Sequence, residues 1–401
     1  MLTTGEARDA ILAAMPDFPA TTTTLGESSG RILREVIRAE RDQPPFDRVM
    51  MDGIALHYAD FAGGRRDFPV QAMQAAGDTA LALKPGQCIE IMTGAAMPQN
   101  ADCVIPVERV AIADGIASIE DGYDAKSGQF VHPRASDHEA GARLLTPGKR
   151  ISPLDVAIIA SSGMTEVEVS RVPAIRVIST GNELVPAGEP IEPHQIRLSN
   201  GPAIQAMLGE RGYTDCDHDH LADDLDELRE RIADHLDHAD VLILSGGVSM
   251  GKADFVPTVL AELGVDVVFH KVSQRPGKPM WFGVGPDRQV VFALPGNPVS
   301  ALVCCRHYVI PALDAASAAA PRPPEFAALA GDIRFEPDLT CFQPVRLVSN
   351  SAGQVLAMPV KTNTSGDFAA LSVTDGYVEL DKEKNHFPAG TAVFLHRWQA
   401  S

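Results

Sequence analysis

The sequence is poor in what nucleic-acid binders and disulfide-stapled proteins rely on. Aromatic residues make up only 5% of its 401 positions, too few for the stacking platforms that grip single strands. Cations are scarce as well: 34 Lys plus Arg stand against 53 Asp plus Glu, a net charge of -19. Duplexes and anionic membranes demand clustered positive surface, so neither is expected as a partner. The six cysteines, Cys88, Cys103, Cys216, Cys304, Cys305 and Cys341, form no C-x-x-C pair and meet no histidine at zinc spacing. Reduced, buried and inert thiols are the expectation. No basic segment followed by an apolar run opens the chain, and no stretch approaches the apolar length of a membrane span. A cytoplasmic protein follows as the expectation.

What is present is an ordinary globular balance, 45% hydrophobic and 22% charged, in a length that implies two to four domains. Met1 to Met15 and Gly30 to Ala39 carry apolar residues at helical spacing around a polar turn at Thr21–Thr24. From Phe46 to about His132, short apolar runs split by Gly and Pro predict a β-rich domain. A helix is expected over Ser152–Ser161. Residues 172–315 alternate between apolar strands (Ala174–Ser179, Asp240–Leu244, Val265–Lys271, Met280–Gly283, Gln289–Leu294) and helices (Ser199–Gly212, Asp223–Leu236, Ala253–Leu263, Pro298–Leu313). That alternation predicts a parallel sheet covered on both faces. Ala315–Pro324 reads as a linker, and further strands at Phe342–Val348, Gln354–Pro359, Gly376–Glu379 and Thr391–Leu395 predict a small all-β domain.

Ligands of open α/β sheets sit where strands end and helices begin. Three such junctions stand out. Ser179-Thr180-Gly181-Asn182-Glu183-Leu184 follows a strand. Ser245-Gly246-Gly247-Val248-Ser249-Met250-Gly251 joins a strand to a helix; its glycines let backbone N–H groups approach a phosphate, Ser245 and Ser249 can donate to it, and Asp254 in the first helical turn could hold Mg²⁺. The plainer alternative is a tight turn with an N-terminal helix carboxylate. Leu294-Pro295-Gly296-Asn297-Pro298-Val299-Ser300 is stiffened by two prolines. Glu183 and Asp223 could join Asp254 as carboxylates for Mg²⁺ or water, although Asp223 alone would pass for a helix N-cap. Lys271, Arg275 and Lys278 lie in a proline-locked segment, His270 to Pro279, that contains no acid and reads as an anion site. In the β-rich segment, Phe46-Asp47, Met51-Asp52-Gly53 and Met92-Thr93-Gly94 are ambiguous one by one.

In this order these motifs, with Pro276-Gly277-Lys278-Pro279, resemble the molybdenum insertases: the MoeA family of bacteria and the E domain of gephyrin. The resemblance covers essentially the whole chain, is strongest over 172–313 and fades after 325. It implies a multidomain α/β plus β fold: a helical N-terminal/linker domain from 1–45 and 133–171, an inserted β-rich domain at 46–132, a three-layer α/β molybdopterin-binding domain at 172–318, and a C-terminal β-barrel at 325–401. It also implies a homodimer with a cleft shared between subunits, and contacts with other proteins of molybdenum cofactor biosynthesis. The implied reaction takes adenylylated molybdopterin and molybdate, releases AMP with Mg²⁺, and leaves molybdenum on the dithiolene. Asp52, Thr93, Glu183, Asp223 and Asp254 match the family's catalytic polar positions, with Glu183 and Asp254 toward Mg²⁺. Ser245, Gly246, Gly247, Ser249, Lys271, Arg275, Lys278, Pro295, Gly296, Asn297, Pro298 and Ser300 match its ligand-binding loops.

Several positions depart from the family pattern. Arg48-Val49-Met50 replaces Asn-Ser-Ala, Ile54 replaces Tyr, and Arg275 replaces Lys. Ala369-Ala370 stands where a Ser-Ser pair is usual, and arginines expected around 339–344 are missing, a region associated with molybdate. Two other readings follow: an adenylyltransferase, which the α/β segment alone also resembles, and a non-catalytic pterin-binding paralogue. The inserted-domain motifs favour the insertase over the adenylyltransferase.

Overall fold

The computed structural model describes residues 1–247, 255–361 and 366–399. The backbone separates into two compact units, residues 1–35, 147–152 and 166–401 in one and 36–146 with 153–165 in the other.

The smaller unit is built on a six-stranded sheet in the order Cys103–Pro106, Gly53–Leu56, Cys88–Ile91, Asp67–Gln74, Ile116–Ile119 and Val110–Ala113. Side chains alternate across a strand, so Ile54 and Leu56 pack with Phe61, Phe68 and Ile105 on one face while Ala55 packs with Ile89, Ile91 and Val104 on the other. Pro153–Ser161 forms the expected helix.

In the larger unit the N-terminal helix Thr4–Ala14 is closed by a capping box between Thr3 and Glu6. The next two sequence expectations fail. Thr21–Thr24 is no turn: Ala20–Thr24 is a strand, paired antiparallel with Glu166–Ser170, as a run of β-branched threonines favours. Gly30–Ala39 is not helical. Its backbone groups bond to distant segments, Gly30 N–H to Ile151 at 2.8 Å, Leu33 to Lys149 at 2.9 Å and Arg34 to Glu168 at 2.8 Å. Those tertiary bonds override a weak helical period.

The α/β region comprises β1 (Ile175–Thr180), α1 (Asn200–Gly209), β2 (Cys216–Leu221), α2 (Leu225–His238), β3 (Val241–Ser245), α3 (Val256–Glu262), β4 (Asp266–His270), β5 (Trp281–Val284), β6 (Val290–Leu294) and α4 (Pro298–Cys304). The sheet order is β2-β1-β3-β6-β5-β4. β2, β1, β3 and β6 are parallel, but β5 runs antiparallel to both neighbours. The expected all-parallel sheet is therefore mixed: β5 and β6 are joined by only Gly285–Gln289, far too short for a crossover helix. Ile175, Val177, Ile243 and Phe292 face one core, and Ile178, Leu242, Leu244 and Val291 the other, which gives three layers.

α4 continues through a π-turn at Cys305–Val309 into Ile310–Ala316. This 19-residue run has the length and hydropathy of a membrane span, against the sequence expectation, yet 72% of it is buried inside the protein. It is a core helix. Beyond it, Thr340–Ser349, Val355–Pro359, Glu325–Leu329, Ala392–Arg397 and Gly376–Leu380 pair in that order, and the last pairs back to the first. The ring is a closed five-stranded barrel without free edges. All six cysteines are free, and burial pushes Cys88 and Cys103 up to about 12 and Cys216 up to about 11, so these thiols hold almost no reactive thiolate at neutral pH.

Candidate functional site

A cleft of about 710 Å³ opens at the carboxyl ends of β1, β3 and β6. Its walls bring together Glu183, Asp223, Ser245, Gly246, Gly247, Pro295, Gly296, Asn297 and Pro298, nine positions drawn from the three candidate loops and the start of α2. Ser249 and Asp254 lie outside the described residues.

The glycines at β3 are dictated by crowding. Gly246 and Gly247 have φ of +105° and +63°. A Cβ on Gly246 would stand 2.6 Å from the Thr180 carbonyl oxygen, and one on Gly247 would stand 2.8 Å from Val256 Cγ2 and 2.9 Å from Thr180 Oγ1. The β3 turn therefore lies directly against the β1 turn. Thr180 Oγ1 is buried in that wall without a hydrogen-bond partner. The Glu183 carboxylate folds back over the first loop, since a Cβ on Gly181 would meet its Oε2 at 2.7 Å. Asp223 is not the cap: the N-cap of α2 is Asp224, whose side chain accepts from Asp226 N and Glu227 N. The Asp223 N–H instead donates to Asn182 Oδ1 at 3.0 Å, which ties the start of α2 to the Glu183 loop.

Sequence reasoning missed the residues that hold these loops in register. Asn200 Nδ2 donates to Ser245 Oγ at 2.9 Å and to the Gly296 carbonyl at 2.8 Å, clamping the β3 turn to the proline loop. With its oxygen so occupied, the buried Ser245 hydroxyl keeps its proton for an acceptor in the cleft. Ser179 Oγ and His218 Nε2 lie 3.0 Å apart, and His220 Nε2 lies 3.0 Å from the Gly181 carbonyl. Burial lowers the His218 pKa from its ordinary value, which favours the neutral ring. The signal was available: Asp-His-Asp-His at 217–220 has period two, which places both histidines on one side of an edge strand.

The cations lie apart. Arg275, Lys278 and Ser300 line a second cavity of about 510 Å³, together with Cys341, Phe342, Gln343 and Pro344 of the barrel. Pro279 borders both spaces. Lys271 lines neither; it has a φ of +77°, and its N–H bonds to the Met280 carbonyl at 2.8 Å. Arg197 borders the large cleft, but its Nη1 is held by the Pro186 and Glu189 carbonyls at 2.9 and 2.8 Å.

In the smaller unit, Asp52 precedes the strand Gly53–Leu56 and Thr93 follows Cys88–Ile91. The antiparallel pairing of Gly53 with Ile91 brings them side by side. Thr93 Oγ1 and N donate to Asp52 Oδ1 at 2.6 and 2.7 Å. These two bonds, the hydroxyl's first, hold the Asp52 carboxyl below its usual range.

Comparison with known proteins finds relatives over nearly the whole chain. Residues 2–163 match the MoeA N-terminal region (domain I and II), 176–315 a probable molybdopterin binding domain, and 327–397 the MoeA C-terminal region (domain IV). A molybdopterin molybdenumtransferase of Synechocystis is 42% identical over 99% of this chain and 100% of its own length. One from Bacillus subtilis is 31% identical over 92% of this chain and 87% of its own. A solved structure of the molybdopterin biosynthesis MoeA protein of Pyrococcus horikoshii superposes with a TM-score of 0.81 at 26% identity, covering 98% of this chain and 99% of that one.

Proposed function

The chain belongs to the MoeA family and is a molybdopterin molybdenumtransferase of molybdenum cofactor biosynthesis, and on that premise we propose that it consumes adenylylated molybdopterin and molybdate, releasing AMP with Mg²⁺ and leaving molybdenum on the pterin dithiolene. The observation that carries this reading is the 710 Å³ cleft, where hydroxyls, backbone-exposing glycines and two carboxylates meet at one sheet edge. A phosphoanhydride needs all three.

The residues present fit Mg²⁺: Glu183 and Asp223 offer hard carboxylate oxygens beside the loop suited to phosphate. Glu183 would hold the ion, with Asp254 added on the family resemblance alone; when bound, Mg²⁺ supplies neutralisation of phosphate charge. Ser245 donates its free proton to a phosphate oxygen. The Gly246-Gly247 turn lets the phosphate approach the backbone, and the Pro295–Pro298 loop keeps its shape while it does so. Asp223 orients the attacking water and takes its proton. The water oxygen bonds to the AMP phosphorus, the P–O bond to the pterin phosphate breaks, and AMP leaves. The metal ends on sulfurs the substrate brings, consistent with a chain whose own thiols are buried or, at Cys216, half-buried.

Arg275 and Lys278, in the second cavity, recruit molybdate. Asp52, fixed by Thr93, serves the cleft of a second subunit in a cytoplasmic homodimer. The direct test is incubation with adenylylated molybdopterin, Mg²⁺ and molybdate. Stoichiometric AMP and active cofactor are expected; production of the adenylate from molybdopterin and ATP, or binding without AMP release, would overturn the assignment. Mixing Asp52→Ala chains with Glu183→Gln chains should restore part of the activity, and no rescue in verified hybrids would remove the shared cleft.

A further inference from the structure

Away from both cavities, the larger unit forms a small, half-open space lined by four arginines, Arg31, Arg150, Arg171 and Arg211. In a chain of net charge -19 such a gathering calls for counter-charge, and the pairing can be followed group by group. Arg150 Nη2 bonds Asp314 at 2.6 Å, and its Nη1 donates to the Gly30 carbonyl at 2.7 Å. Arg171 grips Asp240 with two bonds of 2.8 and 2.9 Å. Arg31 donates to the Ser170 carbonyl at 2.9 Å; burial lowers its pKa, and Glu27 only partly opposes the shift. Asp314 is shared further, because Tyr213 also donates to it at 2.8 Å.

Among the described residues, Arg211 has no such partner. It is 4% exposed, and its Nη2 is buried without a hydrogen bond. Burial, then neighbouring Arg306, push its pKa down to about 10, and Arg322 and Arg150 push the same way against Asp314. At neutral pH the group still carries its charge. A desolvated, unpaired guanidinium among like charges is one of the costliest arrangements a fold can hold, and arginine cannot escape by losing its proton.

We infer that this space is a specific site for one monovalent, halide-sized anion, chloride in ordinary media, held by Arg211 against Arg31 and Arg150. The size follows from the cavity, about 10 Å³, which admits one species about as large as a water molecule. The single charge follows from the space, which holds one species, and from Arg211 Nη2, the one buried guanidinium nitrogen without a hydrogen bond among the described residues. A water would satisfy the N–H but not the charge. The anion would pin the loop after α1 to the Gly30 and Arg150 segments, which already meet through the Arg150 bonds.

The test is thermal unfolding of the full chain at constant ionic strength in sodium chloride and in sodium gluconate, whose anion is too large for the space. Chloride should raise the midpoint saturably, with the folding equilibrium shifted about elevenfold at ten times the dissociation constant. Arg211→Met should abolish the difference between the two salts. Identical curves for the wild type in both salts would leave the space to water and overturn the site. A chloride response surviving in Arg211→Met would overturn it equally. Should that variant not fold, wild-type crystals grown in bromide decide: an anomalous peak within hydrogen-bonding distance of Arg211 Nη2 supports the site, and its absence ends it.

Discussion

The two spaces beside the α/β sheet differ in charge more than in size. The larger holds carboxylates and hydroxyls, and Arg197, the one cation bordering it among the described residues, is turned to backbone carbonyls. The smaller holds Arg275 and Lys278 and, among the described residues, no acid. Among the described residues, Pro279 alone lines both. A single site for a multiply anionic substrate would mix these charges and let them neutralise one another. Keeping them apart gives a region that can accept a divalent cation and a region that can accept an oxyanion, each with its field intact. On the proposed reading, nucleotide release belongs to the first and molybdate capture to the second.

The largest effect should come from the acid-lined space. Glu183→Gln keeps the shape of an exposed side chain and removes its charge, so AMP release should fall by about 10²-fold or more, the scale of a lost acid–base or metal-binding group, with the melting temperature nearly unchanged. AMP release within twofold of wild type would break the division of labour at its first member. A roughly tenfold effect is expected from the second space. Lys278→Ala removes a charged donor worth about 1.5 kcal/mol or more, and the molybdate concentration for half-maximal insertion should rise accordingly while AMP release at saturating molybdate holds. If both parameters fall together, the two spaces act as one. The barrel residues Cys341 to Pro344 sharpen this expectation: they face the same cavity where relatives of the family are expected to carry arginines, so Lys278 and Arg275 act with fewer cationic neighbours.

The Asp52–Thr93 pair belongs to neither space and gives a smaller, pH-dependent effect. Thr93→Val removes the 2.6 Å hydroxyl bond but keeps the backbone N–H, so the Asp52 pKa should rise part of the way toward its ordinary 3.8. The sign follows from linkage. A carboxyl whose folded pKa is depressed contributes stability above its unfolded pKa and loses it as pH falls through the folded one. Wild type and variant should therefore differ in stability at neutral pH and converge in acid, below about 3.8. Superimposable titrations of the Asp52 carboxyl by NMR would show that the hydroxyl bond does not tune it.

What could be read in advance follows the physics of each segment. β1, β3 and β6 were legible because strands buried on both faces are continuous apolar runs. β2 was not: Cys-Asp-His-Asp-His-Leu has little apolar content, and only its pairing with β1 makes it a strand. Helical spacing in Gly30–Ala39 lost to hydrogen bonds with segments more than a hundred residues away. Glu183, the glycine turn and the proline loop were found as motifs because their chemistry is local. Asn200 was not, because a clamp between two loops has no signature until the loops meet. Nor does sequence order reveal that Ser300 and Pro298, two residues apart on one helix, face different spaces.

The smallest expected effect is also the sharpest test of the division. Ala369-Ala370 occupies the place of the family's serine pair, and in the fold it opens the turn Ala369–Val373 directly after Phe368. Phe368 lines the acid-lined cleft and is not among the walls of the cation-lined cavity. Hydroxyls restored at 369 and 370 would therefore stand near the nucleotide end. If molybdate is captured by Arg275 and Lys278, Ala369→Ser with Ala370→Ser should leave the half-saturating molybdate concentration within about twofold, the scale of one weak neutral hydrogen bond. A clear drop would place oxyanion capture in the larger cleft. In that case the charge separation between the spaces would organise something other than molybdate, and Lys278→Ala in the restored background should then lose most of its effect.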